Sequence, residues 1–515
     1  MLQPARRNSS TRAGALTAGI GGPHSHASVA LCAGGDVLGV CAQESVTRTR
    51  GAGVNATGLP DEALDCMLER IGRRQAPIDR FVVPDERLKI LRPGRVERLD
   101  HHYSHACTSF LSSPFTAATI VVIDAELPKV SVWEGTPEGV ERVAWPWRGP
   151  GFTDLHRACA SAFGFDTVAG EQRLEALARL GSGAEASPLD WRLDEDGSAL
   201  ILPSDHIGRL EAAIAAAPAT DDAPSGAAAA ATVARTIGAL FEELLARVHR
   251  RAPSEHLCLG GSFFFNSAIN SIARESGTFS QVFVPVNPGN GGVAVGAALA
   301  VNAAHQHRLS PFLGPSFEPD EIKATLDNCK LHYEWATDEA AIVCAVDALR
   351  KGRLVGWFEG AMEWGPRALG ARSILADPSA PYVLENLNRF LKHREPWRGY
   401  GLSGPELAVR QHFDGPAESP FMECDYRPKS PDDFRAVLPS SRASIRIQSV
   451  VAQAAPPRFR RLLDAFGAAT GLPFLVNTSF NGKHEPLVCS PADAVRVFYG
   501  TGMDVLILDR FILTK

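Results

Sequence analysis

Short apolar runs of strand length recur along the chain, at 119–124 (TIVVID), 257–259, 282–286, 354–358, 474–476 and 504–508, each bounded by turn residues. Such runs read as buried strands. Between them lie helical patterns, among them 60–71, with Leu64, Met67, Leu68 and Ile71 on one face, 151–165, the alanine-rich stretch from Ala227, and 338–350. Strand and helix in alternation predict an α/β fold with mostly parallel sheets. Near the start, two apolar stretches flank Gly34-Gly35-Asp36 and predict a hairpin.

At 515 residues the chain is long enough for two or more domains of about 100–200 residues. A Pro/Gly-rich composition around 311–319 marks the boundary, dividing 16–312 from 313–515; residues 1–15 read as a disordered extension. The net charge of −6 gives no footprint for a nucleic-acid partner. No apolar run approaches the roughly 20 residues of a membrane span. Ten cysteines are scattered without a C-x-x-C pair. That argues against a zinc ribbon or disulfide scaffold and fits a reducing, cytoplasmic setting.

Several constellations carry chemistry. In the stretch 356–378, GWFEGAMEWGPRALGARSILADP, Arg367 and Arg372 sit in a glycine-rich turn after a strand. That is either an anion site, since guanidinium pairs bidentately with phosphate, or a tight turn with two solvated arginines. His101 and His105 are four apart, so on a helix they share a face; with Asp124 at a strand end they are metal-ligand candidates, or simply hydrogen-bonding histidines. Gly260-Gly261 and Gly289-Asn290-Gly291-Gly292 follow strands and are phosphate cradles or packing devices. Lys392, Arg394, Arg398 and Arg446 add cations in the C-terminal part, and Ser479 lies in an N-T-S-F-N turn. Clustered in one domain, they favour a triphosphate or acyl-phosphate pocket over a basic face.

Seven motifs in order, HHYSHACTSFLSSPF, LCLGGSFFFNSAIN, VFVPVNPGNGGVAVGAAL, GWFEGAMEWGPRALGARSILADP, LKHREPWR, SIRIQSV and LVNTSFNGKHEPLVCSPADAV, resemble those of the O-carbamoyltransferases of nodulation-factor and antibiotic-tailoring type. The resemblance implies an N-terminal ASKHA-type (actin/hexokinase-like) domain that transfers the carbamoyl group and a C-terminal YrdC-like domain that makes carbamoyladenylate from carbamoyl phosphate and ATP. It implies that Arg367, Lys392 and Arg398 act in catalysis, and that these three with Arg372, Arg394, Arg446, Ser479, Gly260 and Gly261 contact the nucleotide and acyl phosphate. It implies a divalent metal, iron or magnesium, on His101, His105, Asp124 and Asn290. The expected partners are carbamoyl phosphate, ATP and a small hydroxylated acceptor such as a sugar or secondary metabolite.

The chain departs from the family pattern at four places. Ala125-Glu126-Leu127-Pro128 replaces a glycine-bearing turn, and 170–178 (GEQRLEALA) replaces a glycine-rich segment. Asn290 stands where an aspartate ligand is usual, and Ser25-His26 where a His-Asp pair is usual. All four fall in the ASKHA-like half. They keep open an alternative in which that half is a scaffold or regulatory partner and the protein is half-active or non-catalytic.

Overall fold

The computed structural model describes residues 14–85, 88–166, 169–181, 189–220, 223–302, 305–438 and 444–515. Most of the expected N-terminal extension, 1–13, lies outside the described residues.

Two five-stranded sheets share one topology. The first contains β1 (Leu16–Gly21), β2 (Ser28–Ala33), β3 (Asp36–Ala42), β4 (Arg80–Val83) and β5 (Arg95–Arg98), in the order β3-β2-β1-β4-β5. The first three strands form an antiparallel meander, and β4 and β5 add in parallel beyond β1. The second sheet repeats this with β6 (Ala118–Ile123), β7 (Val130–Thr136) and β8 (Gly139–Val143) as the meander. A short hairpin, β9 (Arg192–Leu193) and β10 (Leu200–Ile201), stands apart; β11 (His256–Gly260) and β12 (Gln281–Phe283) then add in parallel beyond β6. This duplicated half-parallel sheet is the ASKHA-type architecture.

The third sheet has ten strands: β13 (Glu334–Trp335), β14 (Val355–Phe358), β15 (Arg372–Ala376), β16 (Gly401–Pro405), β17 (Phe413–Asp414), β18 (Cys424–Pro428), β19 (Ile445–Val450), β20 (Leu475–Ser479), β21 (Val505–Leu508) and β22 (Phe511–Thr514). Its mixed pairing is consistent with a YrdC-like domain. In this sheet only β14–β21 and β16–β19 pair in parallel among the described residues, and over all three sheets antiparallel pairs outnumber parallel ones. The expectation of mostly parallel sheets is therefore corrected. Apolar runs report burial on both faces, not strand direction.

Period-two alternation builds the cores. Along β6, Val121 and Ile123 face one cluster while Ile120 and Val122 face another. Along β14 and β15, Phe358 and Ile374 enter one core of the ten-stranded sheet, and Val355, Trp357 and Leu375 enter the core on its opposite face. Contacts also join the first two sheets to the third. Asn270 Nδ2 donates to Glu423 O (2.9 Å), Arg274 pairs with Glu423 (3.0 Å), and Trp397 packs against the core of the second sheet.

Candidate active site at the meeting of the sheets

In the stretch 356–378, Glu359, Glu363, Arg367 and Arg372 have separate tasks. Glu359 lies at the N-terminus of the helix Pro457–Thr470, accepting from the backbone N–H of Arg458 and Phe459 (both 3.0 Å). Glu363 Oε1 accepts from three backbone N–H groups, of Leu369, Ala371 and Arg372 (2.8, 2.9 and 3.1 Å). The loop thus forms an anion-binding nest that its own glutamate fills. Gly370 has φ +109°, and a Cβ there would meet Phe459 at 2.2 Å, so the bend tolerates only glycine.

Arg372, expected at the ligand, is committed elsewhere. Its guanidinium donates to the carbonyls of Glu359, Ala371, Pro315 and Gly360 (2.9–3.2 Å), lies 3.5 Å over the Phe358 ring and is fully buried. It holds the loop from inside. Arg367, five residues earlier, faces the other way. It makes one hydrogen bond, to Phe265 O (3.0 Å), and remains partly open to solvent.

Arg446, on β19, is also partly open, and its guanidinium has no hydrogen bond or ion pair among the described residues. Burial, then Arg367 and Arg179, pushes its pKa well below the ordinary arginine value. Burial likewise lowers that of Arg367. Burial and neighbouring like charges have this effect, here against the opposing pull of Glu175 and Asp425. Arg179 follows the helix Gly170–Ala178 and joins Asp425 of β18 through Nε and Nη2 (2.8 and 3.2 Å). It also donates to Ser267 Oγ (2.9 Å).

A second cluster lies at the end of β20. Lys392, the last residue of a π-helix (Asn386–Lys392), donates from Nζ to Ser479 O (2.6 Å), Asn481 O (3.1 Å) and Asn481 Oδ1 (2.6 Å). Its Nζ is 3.5 Å from Ser479 Oγ. Burial, then Arg394, holds its pKa well below the usual lysine value. Burial also lowers the Arg398 pKa, to about 10, again with help from Arg394. Arg398 makes only a 3.8 Å ion pair with Glu395. Arg394 bonds Asn388 Oδ1 (2.8 Å) and Gly399 O (3.2 Å) and lies 4.2 Å over Tyr400, so it mainly shapes the loop that carries Arg398.

In the N-terminal half, Asp100 caps the helix His101–Leu111 by accepting from Tyr103 N–H (2.8 Å). That start places both histidines on the buried face. His101 Nε2 lies 3.1 Å from His105 Nε2 and 3.2 Å from Asp124 Oδ2, and His105 Nε2 lies 3.9 Å from that oxygen. Bonds of about 2.1 Å to one divalent ion leave neighbouring ligand atoms at about such separations. Asp124 Oδ1 accepts from Ser262 N–H (2.9 Å) and Oγ–H (2.5 Å), the outer contacts that orient a ligating carboxylate. Asn290 opens the turn Asn290–Gly292, which is tied to the histidine helix by Thr108 Oγ1 donating to Gly292 O (3.0 Å). Its buried Oδ1 has no hydrogen-bond partner. The donor set of two imidazoles and a carboxylate, with an orphaned amide oxygen on the adjoining turn, fits a divalent metal.

Gly260 and Gly261 serve packing in place of the expected phosphate cradle. A Cβ on Gly260 would meet Ser109 Oγ at 2.5 Å, and one on Gly261 would meet Ile123 O at 2.1 Å. The Gly261 N–H already donates to Pro288 O (2.8 Å).

Sequence reasoning missed Arg179, Glu175, Asp425 and Asn481. The one available signal was the i,i+4 pair Glu175/Arg179, which puts both side chains on one helix face.

Residues 201–299 match the carbamoyltransferase N-terminus family model, and 346–515 match the carbamoyltransferase C-terminus model. An uncharacterized protein of Synechocystis sp., sll1178, is 31% identical over 81% of this chain and 76% of its own length. Nodulation protein NolO of Bradyrhizobium diazoefficiens is 31% identical over 55% of each chain. Nodulation protein NolNO of Sinorhizobium fredii is 27% identical over 82% of this chain and 64% of its own. The chain belongs to the carbamoyltransferase family. Among solved structures, full-length HypF in its phosphate- and nucleotide-bound form aligns at TM-score 0.39 and 13% identity, covering 56% of this chain and 46% of that one. The activator of 2-hydroxyisocaproyl-CoA dehydratase from Clostridium difficile, with bound ADPNP, aligns at TM-score 0.37 and 15% identity, covering 56% of this chain and 94% of that one. No helix among the described residues is long and apolar enough to cross a membrane.

Proposed function

We propose that the protein is an ATP-dependent O-carbamoyltransferase that joins carbamoyl phosphate to ATP as carbamoyladenylate and passes the carbamoyl group to a hydroxyl of a small acceptor. Residues 313–515 carry the first half-reaction and 16–312 the second. The observation that supports this best is the pair Arg367 and Arg446, two neighbouring, partly open cations whose guanidinium groups make a single hydrogen bond between them among the described residues. Two polyanions must be brought together for adenylation. Unneutralised guanidinium groups offset their repulsion and stabilise charge on the departing pyrophosphate. Lys392, Arg398 and Ser479 belong to the same site in this reading. Arg372 does not, because its donors already hold four carbonyls.

A divalent metal would be held by His101, His105 and Asp124, with Asn290 beside them; when bound it supplies a Lewis acid that polarises the carbamoyl carbonyl. Ser262 fixes the Asp124 carboxylate. A neutral amide is a weaker ligand for a hard cation than a carboxylate. Asn290→Asp should therefore raise retention of metal after dialysis, read as metal per protein; unchanged content would remove position 290 from the ligand set.

The direct test is incubation with ATP and carbamoyl phosphate. Pyrophosphate and carbamoyladenylate are the expected products. Their absence, with iron or magnesium supplied, would reject the adenylation step. Adenylate that forms but is never transferred, across a panel of hydroxylated acceptors, would favour the half-active alternative.

A further inference from the structure

Beside Arg367 and Arg446 lies a cavity of about 350 Å³ between the two halves of the chain. One side comes from the helices Phe152–Ala162, Gly170–Ala178, Ala227–Arg251 and Ser267–Glu275, the other from β18 and Ser444. Leu174, Ala231, Val233, Ile237 and Ile269 make its walls largely apolar. Volume and lining suit a small organic molecule.

Two polar side chains in this lining have no hydrogen bond among the described residues. Glu175 is 7% exposed, and its Oε2 is buried without a donor, with only the Arg179 Nη2 nearby at 3.7 Å. His156 is 8% exposed, and its ring makes only an edge contact with Phe263. A buried carboxylate held only by a long ion pair, with no hydrogen bond, is costly, so its retention calls for a function. Its neighbours place it: Asp425, in the same lining, is the cross-strand partner of Arg446, and Arg367 donates to Phe265 O (3.0 Å), next to the lining residue Asn266. Glu175 therefore stands between the apolar cavity and the arginines assigned above to the acyl phosphate.

We propose that this cavity binds the hydroxylated acceptor, a sugar-sized ring alcohol with its apolar face on the alanine and isoleucine wall, and that Glu175 accepts the proton of its attacking hydroxyl. This rests on the carbamoyl-transfer reading. The acceptor oxygen forms a bond to the carbamoyl carbon. The bond from that carbon to the adenylate phosphate oxygen breaks, and AMP leaves with the electron pair while Arg367 and Arg446 hold its phosphate. The hydroxyl proton goes to Glu175. Burial raises the pKa of this carboxyl, which makes it a better base than an exposed glutamate. His156, whose pKa burial pushes down to about 4, stays neutral and is available as an acceptor for a second hydroxyl of the ring.

The test uses the full chain with ATP and carbamoyl phosphate, and with cyclohexanol and methyl glucoside as probe alcohols. The readout is carbamoyl ester formed per pyrophosphate released, with carbamoyl loss to water counted as transfer to solvent. Glu175→Gln should lower this ratio by about 100-fold or more. It should also abolish the acid limb of the ratio's pH profile; the groups that face Glu175 are Arg179, Arg367, Arg446 and Asp425, with His156 across the cavity. Ala231→Phe, which fills the cavity, should lower the ratio as well. A crystal soaked in cyclohexanol should show the alcohol in the cavity, and that outcome does not depend on turnover. An unchanged ratio in Glu175→Gln overturns the proton role. An empty cavity in the soak, or an unchanged ratio in Ala231→Phe, overturns the pocket. No pyrophosphate from the unmodified protein defeats the parent reading instead, and the soak still decides the pocket.

Discussion

Arg446→Ala should cut pyrophosphate release from ATP and carbamoyl phosphate by about 100- to 1,000-fold while leaving the melting temperature unchanged or slightly raised. Removal of one preorganised donor from a site of developing negative charge typically has that effect on turnover. The stability side follows from what Arg446 touches. It makes no hydrogen bond or ion pair among the described residues, and its neighbours Arg367 and Arg179 repel it. Deleting it breaks no hydrogen bond or ion pair among the described residues, and the repulsion by Arg367 and Arg179 that it relieves outweighs the lost attraction to Asp425 and Glu175. The same change should weaken inhibition by pyrophosphate. Steady-state release at saturating ATP, beside a thermal melt, checks both halves. Full activity would take Arg446 out of the site, and a collapse of the melt would show that it serves the fold.

Much of the fold was readable because burial leaves a periodic record. The strand runs at 119–124, 257–259, 354–358 and 474–476 all fall on β-strands, and the helix predicted over 338–350 is Asp338–Arg350. Strand direction was not readable, since β15 and β20 run antiparallel to their neighbours with the same apolar pattern as a parallel strand. The histidine pair was readable because four residues make about one helical turn, and the structure brings both rings to Asp124. The cavity was not. It is built from a helix at 170–178, another at 227–251 and strand β18, and nothing local to Glu175 announces Asp425 some 250 positions on. In the sequence the segment 170–178 registers only as the loss of a glycine-rich segment; in the structure its Glu175, with Arg179 just after it, stands at the meeting of the sheets.

The sharpest contrast lies within one loop. Arg372→Ala should destabilise the protein by about 3–5 kcal/mol, the range for removing one partner from a buried charged cluster, whereas Arg367→Ala should cost about 1 kcal/mol or less and abolish adenylate formation. Arg372 has no exposed surface; of its four accepting carbonyls, those of Glu359 and Gly360 would lose their donor among the described residues, while Ala371 O keeps the Glu359 N–H and Pro315 O the Met362 N–H. Each buried carbonyl left unsatisfied costs about 1–3 kcal/mol before relaxation. The gap under the side chain would also strip Phe358 of its stacked guanidinium. Pro315 adds a longer reach, because this bond, beside Met362 N–H on Pro315 O and Gly314 N–H on Met362 O, helps tie the segment that precedes the helix Pro319–Asn328 to the loop. Arg367 has one carbonyl partner and a side chain partly in solvent, so its loss leaves little unsatisfied. Urea denaturation midpoints of the two variants decide the matter. A wild-type midpoint for Arg372→Ala would mean the carbonyls find water or another donor. A large drop for Arg367→Ala would mean that both arginines of the loop serve the fold, and that the cations of the anion site are Arg446, Lys392 and Arg398.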